Sequence, residues 1–296
     1  MQRAYLFPGQ GFQYVGMGKG LYDSSATARN YFEEANELLG YRITEFMFYG
    51  PEEKLFETQI VQNAIYLVSL ISAVKEGKKF QPSMVAGHSL GETTALVANG
   101  CLTFEDGLLL MNERAVEMER AFNATPAGMV AVIGLDDSIV ERVCDAIEDI
   151  IVPANYNCPG QLVIAGSKAG IDKACIALIK VGARRLIPLN VGGAVHSPLM
   201  KPVVKFLRKK LSTITFREPR CPIYPNVTGV ATTDLEEIKE CLTMQQVESL
   251  RWTTTIQNMM VDGANEFVDC GPPHVISGMV RRISRQILIN SAVGVF

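Results

Sequence analysis

Histidine is scarce in this 296-residue chain. There are three, His88, His196 and His274, so any imidazole chemistry must come from one of them. Cysteine offers no framework: the seven cysteines are odd in number and scattered without paired spacing, which excludes a disulfide scaffold and a zinc site built on Cys pairs. No sign of charge dominates, with 28 Lys and Arg against 31 Asp and Glu. No basic block of the kind that tracks a phosphate backbone is present, so nucleic acid is not an expected partner. No uninterrupted apolar run reaches the ~20 residues of a membrane span. The opening stretch, Met1 to Phe7, meets Pro8-Gly9 too soon to be a signal peptide. Together these absences lead us to expect a soluble, reduced, cytoplasmic protein with no membrane partner. What is present is a chain 48% hydrophobic, enough for a sizeable core in one large domain or two linked ones.

Hydrophobic periodicity and breakers divide the chain. A brief strand at Ala4–Phe7 ends in the loop Pro8-Gly9-Gln10-Gly11. Helical patterns follow at Ala26–Leu39 and Ala64–Lys75, and a long amphipathic helix runs from about Phe104 to Phe122. The stretch Asn123-Ala124-Thr125-Pro126-Ala127-Gly128 breaks that helix and reads as a boundary. Beyond it come a strand at Met129–Ile133, a helix at Asp136–Ile147, a strand at Ile150–Ala154 and a loop at Asn155–Gly160. A strand at Gln161–Ala165, a helix at Ala169–Lys180 and a strand at Arg184–Leu189 complete the series. That β-α-β-β-α-β order is a ferredoxin-like unit. It is read as an insertion at 126–191 within an α/β domain made of 1–125 and 192–296. Further on are a helix at Pro198–Leu211, a strand at Pro222–Tyr224, helices near Leu235–Leu242 and Thr254–Asp262, a strand at Glu266–Val268 and a last helix at about Val275–Ile283.

One motif carries chemistry. Gly87-His88-Ser89-Leu90-Gly91 fits the Gly-x-Ser-x-Gly pattern. A short apolar strand, Ser83–Ala86, precedes it, and a helical stretch, Glu92–Ala98, follows. A sharp strand-to-helix turn needs small residues on both sides of the serine, because a side chain there meets the crossing backbone. Such a turn exposes the hydroxyl and aims the N–H of Leu90, at a helix start, at an anion forming on a substrate.

A serine nucleophile needs a base. His88 lies inside the turn, so its side chain leaves in another direction. His274 follows two prolines and reads as a capping or solvent residue. His196 sits in the Gly-rich loop Gly192-Gly193-Ala194-Val195-His196, just before a helix, and is the favoured base. No Asp or Glu is marked as its orienting acid, and a backbone carbonyl can hold an imidazole N–H equally well. Arg114 lies at the edge of the apolar stripe formed by Phe104, Leu108, Met111, Ala115 and Met118. A guanidinium there needs a partner. Two readings stay open: a structural carboxylate or solvent, and a substrate carboxylate held by the bidentate fork. Gly9-Gln10-Gly11 lets a backbone N–H approach a ligand closely, and is too short for a dinucleotide fingerprint.

Taken together, the segments resemble one family, the malonyl-CoA:acyl-carrier-protein transacylases of type II fatty-acid synthesis and the acyltransferase domains related to them. The resemblance rests on Leu6-Phe7-Pro8-Gly9-Gln10-Gly11, Gly87-His88-Ser89-Leu90-Gly91-Glu92, Asn112-Glu113-Arg114-Ala115 and Pro153-Ala154-Asn155-Tyr156-Asn157 with Pro159-Gly160-Gln161. It continues in Gly193-Ala194-Val195-His196-Ser197-Pro198-Leu199-Met200, in Gln245 placed seven residues before Trp252, and in Asp269-Cys270-Gly271-Pro272. It implies an α/β-hydrolase-like core with a parallel sheet and nucleophile elbow, plus the ferredoxin-like insertion. It also implies roles. Ser89 carries the malonyl group as an ester, His196 is the general base and acid, and the backbone carbonyl of Gln245 orients it. The N–H groups of Gln10 and Leu90 form the oxyanion hole, and Arg114 pairs with the free carboxylate of malonyl. The implied partners are malonyl-CoA and an acyl carrier protein. No metal and no resident cofactor are implied, since the phosphopantetheine belongs to the carrier. Nothing in the chain calls for more than a monomer.

Four positions depart from the family pattern. Thr93 stands where an aromatic residue is usual, Val195 where Phe usually precedes the histidine, and Asn63 where many members have Pro. Pro273-His274 replaces a Gly-containing segment. Val195 widens the acyl pocket, so methylmalonyl is an alternative extender. An acyl hydrolase on the same scaffold is a second alternative, which Arg114 disfavours because uncharged acyl chains have no use for it. A non-catalytic carrier-docking protein is a third, which the complete set of site residues disfavours. Lys201, Lys205, Arg208, Lys209 and Lys210 on one helix are either a solvated face or a docking face for an acidic carrier.

Overall fold

Four short strands form the central sheet, with polar residues confined toward the ends of Arg3–Phe7, Glu266–Asp269 and Leu288–Ser291. They are β1 (Arg3–Phe7), β2 (Met84–Gly87), and, from the far end of the chain, Glu266–Asp269 and Leu288–Ser291. In a computed structural model that describes residues 2–11, 13–272 and 275–292, the order is β2, β1, Glu266–Asp269, Leu288–Ser291, with every pairing parallel. All four residues of β2 are buried, as are all four of Glu266–Asp269. Such continuous burial is what a parallel sheet covered on both faces requires.

The second sheet is antiparallel. It contains β3 (Ala127–Ile133), β4 (Ile151–Cys158), β5 (Gln161–Ser167) and β6 (Arg185–Pro188), in the order β4-β5-β3-β6. With β7 and β8 assigned to Glu266–Asp269 and Leu288–Ser291, the strands among the described residues number eight in chain order. Helices Asp137–Asp145 and Lys168–Lys180 cross between β3 and β4 and between β5 and β6, which is the ferredoxin-like arrangement read from the sequence. The period-2 alternation explains how this sheet serves two cores. Val130, Val132, Leu162 and Ile164 pack on those helices with Val140, Ile171 and Leu178. Met129, Ala131, Val163 and Ala165 face the opposite way, into the main core.

The helices begin and end where local chemistry dictates. Ala26–Leu39 is capped by Ser25, whose hydroxyl accepts from the N–H of Ala28, and ends at Gly40 in the left-handed region. Phe104–Ala124 is capped by Thr103, with Glu105 and Asp106 in its first turn. Among the described residues, no helix is long and apolar enough to cross a membrane.

Several expectations need correction. The helix expected at Ala64–Lys75 begins earlier, at Thr58, and is buried almost all round. The segment expected as a loop from Asn155 runs on as strand to Cys158, held by β5 and by backbone bonds between Tyr156, Ala154 and Leu250. The strand expected at Pro222–Tyr224 is reduced to single bridges from Ile223 to Val85 and Thr232. The expected helix Pro198–Leu211 is a 3-10 turn, Pro198–Met200, followed by Lys201–Leu211. Helices Lys19–Ser24 and Ile43–Tyr49 and strand β8 were not expected from the pattern. His274 lies outside the described residues.

The turn between β2 and Gly91–Ala98 shows why glycine is required there. A Cβ on Gly87 would strike the backbone of Gly91 and Glu92, and one on Gly91 would strike the carbonyl of Phe7 in β1. Neither obstacle is a flexible side chain. We therefore expect Gly91→Ala to lower stability by about 3 kcal/mol or more. Gly20→Ala, in an exposed helical position with nothing near its Cβ, should raise stability by up to ~1 kcal/mol. Urea denaturation of the two variants checks both signs.

Candidate active site

Two non-glycine residues occupy the left-handed region among the described residues: Ser89 at φ 52° and His196 at φ 58°. Such strain costs roughly 1–3 kcal/mol and persists only where the surroundings enforce it. At Ser89 the enforcing residue is Asn226. Its Oδ1 accepts the N–H of Ser89 at 2.7 Å, and its Nδ2 donates to the Gly87 carbonyl at 2.6 Å. One buried amide thus clamps both sides of the turn.

The loop bearing His196 meets this turn from the other end of the chain. His196 Nε2 lies 2.9 Å from Ser89 Oγ, and His196 Nδ1 lies 2.6 Å from the backbone carbonyl of Gln245. A carbonyl only accepts, so Nδ1 carries the proton and Nε2 is left to accept the serine hydroxyl's. Burial pushes the His196 imidazole down to about 3, and the Arg114 charge adds to the shift, while the Gln245 carbonyl opposes it. The imidazole is therefore neutral at physiological pH, as a base must be.

Gln245 caps the helix Leu235–Met244. Its side-chain Nε2 donates toward the Ser89 carbonyl at 3.0 Å, Glu92 Oε2 at 2.9 Å and Asn226 Oδ1 at 3.2 Å. Its Oε1 faces Arg114 Nη2 at 3.5 Å. Arg114 is 2% exposed, and its Nη1 donates to Gln62 Oε1 at 2.7 Å. Among the described residues no carboxylate lies within ion-pair distance of this guanidinium. Burial lowers it to about 10 and the Glu92 charge supports it, so it remains a cation at neutral pH.

A cleft of about 590 Å³ opens between the two sheets. On one side are Gly9, Gln10 and His88, next to Ser89, and on the other are Ala131, Asn155, Asn157, Gln161 and Val163. The continuation of β4 through Cys158 carries both asparagines to this wall. His88 points away from Ser89, its Nε2 2.8 Å from Asn157 Oδ1 and its ring edge-on to Trp252. The N–H groups of Gln10 and Leu90 have no acceptor among the described residues. Of the expected site residues, Ser89, His196, Gln245 and Arg114 form one connected cluster, with Leu90 beside it and Gln10 in the cleft wall. The cationic run on Lys201–Leu211 shares no wall with this cleft. In that run Arg208 pairs with Glu240 and Lys210 with Glu113.

Three residues of the cluster escaped the sequence reading. Glu92 is 1% exposed and was passed over when no acid was found to be marked by its setting. It is the one charge in the helix Gly91–Ala98, and that isolation was a usable signal. Gln62 is buried in a helix that also carries Gln59, Asn63, Ser69 and Ser72, so its residue type alone does not single it out. Asn226 lies in a turn, and nothing local distinguishes it.

Residues 4–289 match the family described as the acyl transferase domain. The malonyl CoA-acyl carrier protein transacylase of Bacillus subtilis (strain 168) is 36% identical over 289 residues, which cover 96% of this chain and 91% of that protein. An acyl carrier protein S-malonyltransferase of Vibrio cholerae superposes with a TM-score of 0.94 at 35% identity, covering 98% of this chain and 96% of the other. A type II polyketide acyl-carrier protein in complex with its malonyl-transacylase contains a chain that superposes with a TM-score of 0.95 at 34% identity, covering 98% and 96%. A serine–histidine pair at a strand-to-helix turn, on a scaffold shared from end to end with these enzymes, thus has a family: the chain belongs to the acyl transferases.

Proposed function

We propose that this acyltransferase moves a malonyl group from malonyl-CoA to the phosphopantetheine thiol of an acyl carrier protein, through an ester on Ser89. The observation that carries the reading is Arg114: a buried guanidinium, held by two amides, with no carboxylate at ion-pair distance among the described residues, and bonded to Gln245, whose backbone carbonyl orients His196. Removing the partner of a buried charge costs about 3–5 kcal/mol. A free carboxylate on the acyl group supplies that partner, and an acetyl group does not. The names of the relatives agree with this substrate pair.

The steps follow from the geometry. His196 Nε2 takes the proton of Ser89 Oγ as that oxygen attacks the thioester carbon. Negative charge gathers on the carbonyl oxygen, where the N–H groups of Gln10 and Leu90 receive it. The carbon–sulfur bond breaks, and His196 returns the proton to the departing CoA sulfur. The carrier's thiol then gives its proton to His196 and attacks the ester. As the second intermediate collapses, the carbon–Oγ bond breaks and His196 returns the proton to Oγ, restoring the Ser89 hydroxyl and the neutral base. This is a ping-pong cycle in which each half uses the same base. No carboxylate balances the transient imidazolium at Nδ1; the Gln245 carbonyl dipole does.

Val195 precedes His196 in the chain and is buried in the main core, and its small size next to the base is the ground for a roomier acyl site. A larger dicarboxylic unit such as methylmalonyl is the second reading this supports.

Intact-protein mass spectrometry after brief mixing with malonyl-CoA should give one malonyl adduct on the wild type and none on Ser89→Ala. Arg114→Ala should acylate with malonyl roughly 10²–10³-fold more slowly, with acetyl gaining relative to malonyl. An adduct on Ser89→Ala, or unchanged selectivity in Arg114→Ala, contradicts the reading. Val195→Phe should raise the ratio of malonyl to methylmalonyl acylation, and equal ratios in the two proteins remove the pocket argument. For His196, a folded value below the ordinary 6.5 keeps the ring neutral as pH falls from 7 to 5. The unfolded chain takes up that proton near 6.5 and the folded chain does not, so this group subtracts from stability as pH falls below about 6.5. An NMR titration should find the His196 Cε1–H at its neutral-form shift at pH 5.5, and a midpoint near 6.5 refutes the assignment.

A further inference from the structure

We propose that Glu92 is a positioning residue of acylation: its carboxylate ties the clamp on the nucleophile turn to the residue that carries the histidine's acceptor. The inference rests on the reading that Ser89 is acylated and names a residue outside the reacting set.

Glu92 enters the site from the first turn of Gly91–Ala98, immediately after the serine turn. One oxygen, Oε2, receives two N–H groups, the backbone N–H of Asn226 at 2.9 Å and the side-chain Nε2 of Gln245 at 2.9 Å. Each donor belongs to a residue that fixes half of the catalytic pair. Asn226 clamps Ser89 and Gly87. Gln245 presents its carbonyl to His196. The three segments lie far apart in sequence, and the strained backbone at Ser89 and His196 must be held from outside. Glu92 is where those supports meet.

The donors favour the charged form at this place, and burial opposes it. A carboxylate accepts two N–H groups more strongly than a neutral oxygen does. Burial pushes the Glu92 carboxyl up to about 7, against which the two donors and then Arg114, beyond the Gln245 amide, favour the anion. The Gln245 side chain keeps the two charges apart: its Nε2 serves Glu92 and its Oε1 serves Arg114. A direct Glu92–Arg114 ion pair would satisfy the guanidinium internally. The amide spacer leaves it open to an incoming carboxylate. Glu92 itself stays 1% exposed and touches no reacting atom.

The test measures single-turnover malonylation of Ser89 in wild type, Glu92→Leu, Glu92→Gln, Gln245→Ala and the double variant Glu92→Leu/Gln245→Ala. The His196 Nδ1–H proton resonance and the thermal midpoint are recorded for each. Glu92→Leu should lower kcat roughly 10²-fold, the scale of an ångström-sized misplacement, with little change in KM, and should shift or broaden the Nδ1–H resonance. Glu92→Gln, whose amide oxygen accepts the same donors, should recover most of the rate. Gln245→Ala keeps its backbone carbonyl and removes one donor, so the double variant should be much less than additive. A folded Glu92→Leu with wild-type kcat and an unmoved resonance overturns the proposal. If Glu92→Leu does not fold, Gln245→Ala with an unmoved resonance and rate overturns it instead. A wild type that takes no malonyl group refutes the functional reading, while the resonance, which needs no substrate, still judges the role of Glu92.

Discussion

The hydrogen bond from His196 Nδ1–H to the Gln245 carbonyl is the contact on which the site depends. It fixes the tautomer, leaves Nε2 facing Ser89 and does so without a charge. A carboxylate in that place would have been a second anion near Arg114 and a competitor for its guanidinium. With a backbone carbonyl instead, the buried cation keeps its binding capacity. The proposed mechanism therefore combines two devices that a carboxylate triad would set against each other: a neutral imidazole base, and a buried positive charge to meet the acyl group's carboxylate.

The fold delivers these parts from separate segments. The turn after β2 supplies Ser89 and Leu90, the loop after β1 supplies Gln10, the loop before Lys201–Leu211 supplies His196, and the helix ending at Met244 supplies Gln245. β1 lies between β2 and β7 in the parallel sheet. That placement brings Gly91 against the Phe7 carbonyl and Gly9 against His88. Close backbone contact at those glycines is what sets Gln10 beside the nucleophile turn. The ferredoxin-like sheet closes the cleft from the other side and contributes polar Asn155, Asn157 and Gln161 beside apolar Ala131 and Val163. In this respect it is a wall of the cleft as well as a separate packing unit.

Much of this was legible in the residues. Gly-x-Ser-x-Gly between a short apolar strand and a helix specifies its own geometry, because steric exclusion at Gly87 and Gly91 is local. The ferredoxin-like order was legible because alternation at Val130 and Val132 and the breakers around Pro126 and Gly160 are local too. What depends on long-range packing was not. The first turns of Thr58–Lys75 carry Gln59, Gln62 and Asn63, whose partners Asn112 and Arg114 lie on Phe104–Ala124, and Asn155–Cys158 is strand only because β5 and Leu250 pair with it. Arg114 could be placed on the edge of a buried stripe, yet its partners, Gln62 and Gln245, come from elements 52 and 131 residues away. Asn226 and Glu92 acquire their roles only from that assembly.

The central claim is that malonyl passes from Ser89 to a carrier thiol and not to water. It is tested most directly by isolating the malonyl-enzyme, adding holo acyl carrier protein, and following the malonyl group on both proteins by mass spectrometry. The account predicts that malonyl leaves Ser89 and appears on the phosphopantetheine thiol within the mixing time, while the malonyl-enzyme left alone in buffer persists for far longer. Loss of malonyl from Ser89 as free malonate, at the same rate with or without the carrier, would contradict it.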